Sequence, residues 1–238
     1  MLLATDLDGT FLAGSPIQKY QLYQLIFNNP GISLVFVTGR GLHTVLPLLS
    51  DITIPTPAYI ICDVGATIVN GHTLQPVKKL QEEIESGWPG HNRVMQALDD
   101  LKELEYQDVP QQRRCSFFTE DETVITEVKI RMKTLNCDVI YSRDRFLDIL
   151  PKNVNKGSSL SKLVNLLDIS PEEVLVAGDT LNDLSLYQCG YNGVVVGNSE
   201  EKLKLMTARM PQTFLANAEG AGGILEAFDF FQSHSLYS

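Results

Sequence analysis

Two aspartates, Asp6 and Asp8, flank a single leucine in the run TDLDGT, and a glycine follows directly. At neutral pH both carboxylates are charged, and like charges at that spacing repel unless a cation or a reaction draws them together. Further along lie Thr38-Gly39-Arg40, then Lys156 within VNKG, then Gly178-Asp179-Thr180-Leu181-Asn182-Asp183, which offer a hydroxyl, an ammonium and more carboxylates. Taken singly each signal is weak: a lone Asp at a helix start is most often an N-cap. Their weight comes from order and placement. Each lies where an apolar run ends or a helical one begins, and in an open α/β sheet ligands bind outside the carboxyl ends of the strands.

The elements that must hold these residues alternate along the chain. LLAT (2–5), SLVFVT (33–38), AYIIC (58–62), VLVAG (174–178) and NGVVVG (192–197) read as buried strands. Helix-period segments at 16–29, 41–50, 158–168 and 223–231 separate or follow them. The first of these enters through Ser15 as N-cap with Pro16 at N1, and its pattern turns Ile17, Leu22, Leu25 and Ile26 inward. Asn70-Gly71 between apolar runs reads as a hairpin. From residue 76 to 154 the pattern changes: RCSFF, CDVIYS and RFLDIL are strands in company with helices at 94–105 and 124–135. The expectation is an α/β chain, a doubly wound Rossmann-like parallel core from residues 1–75 and 155–238 with an α+β cap domain inserted at 76–154. The closing SHSLYS reads as a frayed tail.

A chain of 238 residues with 44% hydrophobic content can bury a real core. Its net charge of -10 sets nucleic acid and anionic lipid aside as partners. Cys62, Cys115, Cys137 and Cys189 are scattered without metal-type spacing and read as reduced, buried small hydrophobes. The scattered thiols favour a cytoplasmic protein, and since no apolar run approaches the ~20 residues of a membrane span, a soluble one is expected. The four histidines lie far apart, with no partner one helical turn away. Arg113, Arg114 and Arg143 form the one basic cluster of an acidic chain, either a solvated face or a lid surface that meets an anionic or polyhydroxylated ligand. Trp88 reads as packing or hinge, or as a platform for a sugar ring.

DLDGT, TGR, a lysine and GDTLND, in that order, resemble the four motifs of the haloacid dehalogenase-like hydrolases, of the Cof-type branch, across nearly the whole chain. Asp6 and Thr38 leave room between them for one helix and one strand, so a large cap fits only after the third strand, the C2-type position of sugar-phosphate phosphatases in that superfamily. VGATI (64–68), VNKG (154–157) and AGGILEA (221–227) are similar to the sucrose-phosphate phosphatase family. The resemblance implies that Asp6 is a nucleophile forming an aspartyl phosphate, that Asp8 is the acid and base, and that Thr38 and Lys156 hold the phosphoryl group. It implies Mg2+ held by Asp6, the backbone carbonyl of Asp8 and Asp179, with Asp183 in support, and a phosphate or substrate contact from Asn182. Gly39 and Arg40 are read as substrate-binding too, with an ion pair as the alternative for Arg40. The expected partner is a phosphorylated disaccharide or glycoside, sucrose 6-phosphate first, with mannosylglycerate phosphate, glucosylglycerol phosphate or a broad range of sugar phosphates as alternatives. A mutase fits less well, because those carry the cap between the first two motifs, and a phospho-accepting signalling domain needs neither Asp8 nor a cap. A monomer is expected. A synthase making the phosphorylated sugar is a natural neighbour, though no feature of the chain demonstrates contact.

Overall fold

The computed structural model describes residues 1–235. In chain order the first half of the core is β1 (Leu2–Thr5), α1 (Pro16–Asn28), β2 (Ser33–Val37), α2 (Leu42–Leu49), β3 (Tyr59–Cys62) and β4 (Thr67–Asn70). There follow α3 (Lys78–Ser86), α4 (His91–Gln96), β5 (Glu105–Tyr106), β6 (Cys115–Phe118), α5 (Glu122–Thr134), β7 (Cys137–Ser142) and β8 (Phe146–Pro151). The chain then runs through α6 (Lys156–Leu166), β9 (Val174–Gly178), α7 (Leu184–Tyr187), β10 (Asn192–Val195), α8 (Glu201–Thr207), β11 (Thr213–Leu215) and α9 (Ala221–Ser235).

Seven strands form one sheet in the order β11-β10-β9-β1-β2-β3-β4, parallel except for the β3–β4 pair. Successive side chains point to opposite faces, and both faces are buried. Ala4, Val35, Val37 and Val176 meet Leu160, Leu163 and Val164 of α6 on one side. Leu3, Leu34, Phe36 and Leu175 meet Leu22 and Ile26 of α1 and Ile224 and Phe228 of α9 on the other. β1 lies in the middle, with Thr5 opposite Phe36 of β2 and Ala177 of β9. The three strands therefore end level with one another, and the residues just beyond them share one edge. Between β4 and α6 the chain builds a second, antiparallel sheet of order β5-β6-β8-β7, whose inner face (Cys115, Phe117, Leu147, Ile149) is covered by Val94 of α4 and Val128 and Met132 of α5.

Besides elements the sequence did not announce, such as α3, α8 and β11, three details depart from the sequence expectation. The helix expected over 94–105 stops at Gln96, and the chain continues in three-residue turns, Leu98 N–H to Met95 O and Leu101 N–H to Leu98 O. Arg131 takes the Ala97 carbonyl at 3.0 Å and pairs with Asp100, which removes an acceptor that a continuing helix needs. Ile17, expected inward, is 70% exposed; it precedes Leu22 by five residues, about 140° round the cylinder at 3.6 residues per turn. At Asn70-Gly71 the reversal is wider than a two-residue hairpin: Asn70 Oδ1 accepts from His72 and Thr73 N–H, and Val69 bridges Pro76. Of the closing SHSLYS, residues 233 to 235 continue α9, and 236 to 238 lie outside the described residues.

Candidate active site

Asp6 is the first residue past β1, and its N–H donates to Ala177 O of β9 at 2.9 Å, which fixes it at the level sheet edge. The chain then turns at Asp8 (φ -80, ψ 119) and Gly9 (φ 85, ψ -14), the dihedrals of a type II turn, whose third position favours glycine. A Cβ at Gly9 would also stand 2.1 Å from Asp179 Oδ2, so the loop passes where no other residue fits.

Lys156 is the first residue of α6, whose N-terminus is capped by Asn155: its side chain accepts from Ser158 N–H at 2.8 Å, and its own N–H donates to Ser158 Oγ at 3.0 Å. This cap aims a fully buried ammonium into the sheet edge, where Nζ donates to Asp6 Oδ1 and Asp183 Oδ1, both at 2.6 Å. Asp183 Oδ2 accepts from the N–H groups of Asp179 and Thr180, each at 3.0 Å, and so holds the loop after β9 in place. Asp179 Oδ1 accepts from the Thr10 hydroxyl at 2.9 Å and its Oδ2 from Arg143 Nη2 at 2.8 Å.

Carboxylates outnumber cations here: Asp6, Asp179 and Asp183 against buried Lys156 and Arg143 at the rim. Burial pushes the Asp6 carboxyl up to about 8 despite Lys156, with Asp183 and Asp179 adding to the rise. Asp179 is raised to about 6, by burial first and then by Asp183. Burial works against the charged form of Lys156, but Asp183 and Asp6 outweigh it and the ammonium is strengthened. One ligand oxygen from each of the three aspartates falls within 4.8 Å of the others. Hard oxygen donors carrying surplus negative charge are what Mg2+ binds, so the donor set fits that ion.

Above the cluster lies a cavity of about 290 Å³ between the core edge and the cap, lined among others by Asp6, Asp8, Thr38, Gly39, Arg40 and Asn182. Thr38 Oγ1 accepts from Arg40 N–H at 3.1 Å, which leaves the hydroxyl hydrogen for another acceptor. Asn182 Oδ1 is buried with no hydrogen-bond partner, an acceptor suited to a ligand hydroxyl. The Asp8 side chain, 54% exposed, is gripped by Arg40 through Nε (2.7 Å) and Nη2 (2.5 Å), the ion pair that was one of the two readings of this arginine, which also lines the cavity.

Several groups at this site went unassigned in the sequence. Thr10 fixes Asp179; it closes the DLDGT run, but the run by itself assigned it no role. Arg114 of the cap is buried; its Nη1 donates to Gly39 O at 2.6 Å, and its guanidinium pairs with Asp63 (3.3 Å) and Asp148 (3.5 Å). Arg143 of the cap reaches Asp179. The basic cluster was the available signal: Arg114 and Arg143 both line the cavity, and the third member, Arg113, pairs with Glu85.

A central strand that ends in an aspartate, a buried lysine against it and an antiparallel cap placed after the third parallel strand put the chain among the haloacid dehalogenase-like phosphatases. The comparisons narrow this. The profile of Sucrose-6F-phosphate phosphohydrolase matches residues 1–232, and the chain belongs to that family of sugar phosphatases. The crystal structure of the sucrose-phosphatase of Synechocystis, in complex with sucrose and phosphate, superposes with a TM-score of 0.88 at 25% identity, covering 98% of each chain. Mannosylfructose-phosphate phosphatase of Agrobacterium fabrum is 28% identical over 94% of this chain and 94% of its own. A glucosylglycerol-phosphate synthase of Pseudomonas anguilliseptica is 50% identical over 97% of this chain, which spans only 31% of that protein's length. Among the described residues no helix is long and apolar enough to cross a membrane.

Proposed function

We propose that this chain hydrolyses a phosphorylated glycoside by way of an aspartyl phosphate on Asp6, with Mg2+ held by Asp6 and Asp179, and that the glycoside is a glucosylglycerol phosphate. The observation that carries the chemistry is Asp6 at the end of the central strand, one oxygen fixed by Lys156 at 2.6 Å and no hydrogen bond to the other among the described residues. The substrate rests on the 50% identity to a segment of a glucosylglycerol-phosphate synthase, against 25% to the Synechocystis sucrose-phosphatase. By the same likeness, an enzyme that joins a sugar to a glycerol phosphate supplies the substrate.

In this reading the Asp6 oxygen not bonded to Lys156 attacks phosphorus, and the bond from phosphorus to the sugar-side oxygen breaks. Asp8, held at the cavity by Arg40, gives its proton to the departing oxygen, then takes one from the water that attacks the aspartyl phosphate and releases inorganic phosphate. Lys156 and the Thr38 hydroxyl face the phosphoryl oxygens, the first as a charge and the second as a donor. Asp183, whose oxygens are both engaged by protein donors, supports the site by holding Lys156 and the Asp179 backbone. When bound, Mg2+ supplies charge that screens the substrate dianion from the carboxylates. Asn182, Gly39 and the cap residues above them meet the sugar.

Sucrose 6-phosphate is the second reading, favoured by the family profile and by the Synechocystis enzyme crystallised with sucrose and phosphate. The test is phosphate release from glucosylglycerol phosphate, sucrose 6-phosphate and glucose 6-phosphate, with Mg2+ and with chelator. Glucosylglycerol phosphate should lead in kcat/KM by about 10-fold or more, since discrimination requires several pocket contacts, and chelator should abolish release. A lead for sucrose 6-phosphate selects the second reading; equal rates on all three would remove the glycoside assignment.

A further inference from the structure

The turn between β7 and β8 reaches out of the cap to the rim of the catalytic cluster. Arg143 and Asp144 sit there at φ 50 and 47, and Arg145 N–H closes the turn on Ser142 O at 3.2 Å. Tight hairpin turns with both central residues in the left-handed region usually carry Asn-Gly. Aspartate tolerates the left-handed region, but an arginine persists there only where surrounding contacts hold the turn. Three contacts do so: Arg143 Nη2 to Asp179 Oδ2 at 2.8 Å, Arg143 N–H to Glu200 Oε1 at 3.1 Å, and Lys202 Nζ to Asp144 Oδ1 at 2.6 Å. Glu200 N–H bonds Asp179 O at 2.8 Å, so the tip and the carboxylate belong to one network.

Both Asp179 oxygens are thereby engaged, but by unlike donors. Thr10 is buried and shares the short loop of Asp6, whereas the Arg143 side chain is 46% exposed and belongs to the cap. The oxygen that Arg143 holds is also the one lying against Gly9, beside Asp8. A cation bound by Asp6 and Asp179 must take an Asp179 oxygen, and Oδ2 is the one whose present partner can leave without disturbing the core. We propose that Arg143 is a positioning residue that exchanges with the divalent cation at Asp179 Oδ2: its guanidinium steadies the carboxylate until the cation takes that oxygen, and the exchange loosens the hairpin tip from Glu200 and Lys202. Metal loading and cap docking then oppose one another, with equal coupling in both directions. The inference rests on the cation reading given above.

The test measures Mg2+ affinity of the full chain by calorimetry, with no substrate present. Arg143→Gln should bind Mg2+ about 10-fold more tightly, and Arg143→Lys, which keeps the charge but loses the planar fork, should fall between. Because removing any nearby positive charge tightens cation binding through its field alone, a charge-balanced double variant, Asp144→Asn with Lys202→Gln, is decisive. Exchange requires it too to gain affinity, by about 5-fold or more, since the tip is freed while Arg143 remains. Hydrogen exchange at the Arg143 amide should quicken when Mg2+ is added to the wild type. Unchanged affinity in the double variant, or slower amide exchange with Mg2+, overturns the proposal whatever Arg143→Gln does. Failure of the wild type and every variant to bind Mg2+ removes the cation reading itself, and this exchange with it.

Discussion

Asp6 and Asp179 carry the electrostatic cost of gathering carboxylates in a buried place, and that cost is measurable without substrate. Their folded values, about 8 and about 6, lie above the ordinary 3.8, so the folded state keeps protons that the unfolded chain has lost. Stability from these groups is full below the ordinary carboxylate value and is lost as pH rises through about 6 and about 8. In chelator, the melting temperature should therefore fall between pH 5 and pH 8, and Asp6→Asn should flatten the upper part of that fall. Mg2+ binds the deprotonated carboxylates, so its stabilising effect should grow over the same range. A melting temperature that holds steady or rises across the window, in chelator, contradicts the burial argument. The aspartates were legible as a set because their types and strand-end positions coincide; the part Thr10 plays was not, because a threonine closing the DLDGT run does not say which carboxylate it will meet from 169 residues away.

At the scale of elements, the lysine is placed by a cap. Asn155 satisfies the first turn of α6 and fixes where the helix begins, and Lys156 is aimed at Asp6 only because it is the first residue of that turn. Asn155→Ala should cost about 1 kcal/mol of stability by urea titration, and it should lower kcat more than KM, since the fault lies in the alignment of a reacting charge. Loss of stability with unchanged kcat would mean that burial alone positions the lysine. Strands such as VLVAG and SLVFVT could be read because burial on both faces demands continuous apolar residues. The 94–105 helix could not, because the residue that halts it, Arg131, approaches from another helix and claims the Ala97 carbonyl. Ile17 failed for a simpler reason: a hydrophobic residue in a helix is not thereby on its buried stripe.

Across the whole molecule, the cap and core meet at charges drawn from both. Arg114 of β6's entry joins Asp148 of the cap to Asp63 and the Gly39 carbonyl of the core. Arg114→Met should leave two buried carboxylates without their cation and cost about 3 kcal/mol in denaturant unfolding, with a larger loss against the phosphorylated glycoside than against a small aryl phosphate that needs no cap. Equal losses on both substrates would assign Arg114 to the fold alone. The existence of a cap was legible from its change of pattern, whereas its docking was legible only in part: the basic cluster signalled a lid surface as one of two readings, but not that Arg114 is buried between Asp63 and Asp148.

The position of β1 also dictates an order of assembly. One flank of this strand is covered by β2 soon after synthesis, but the other waits for β9, so the chain from residue 33 to residue 174 must emerge before that edge is paired. A ribosome-bound chain therefore carries its apolar central strand half-zipped while the cap is being made. Stalled or truncated products ending before β9 present a bare central edge, where an adventitious strand can add and seed aggregation, and their rescue depends on chaperones rather than on the stability of the finished enzyme.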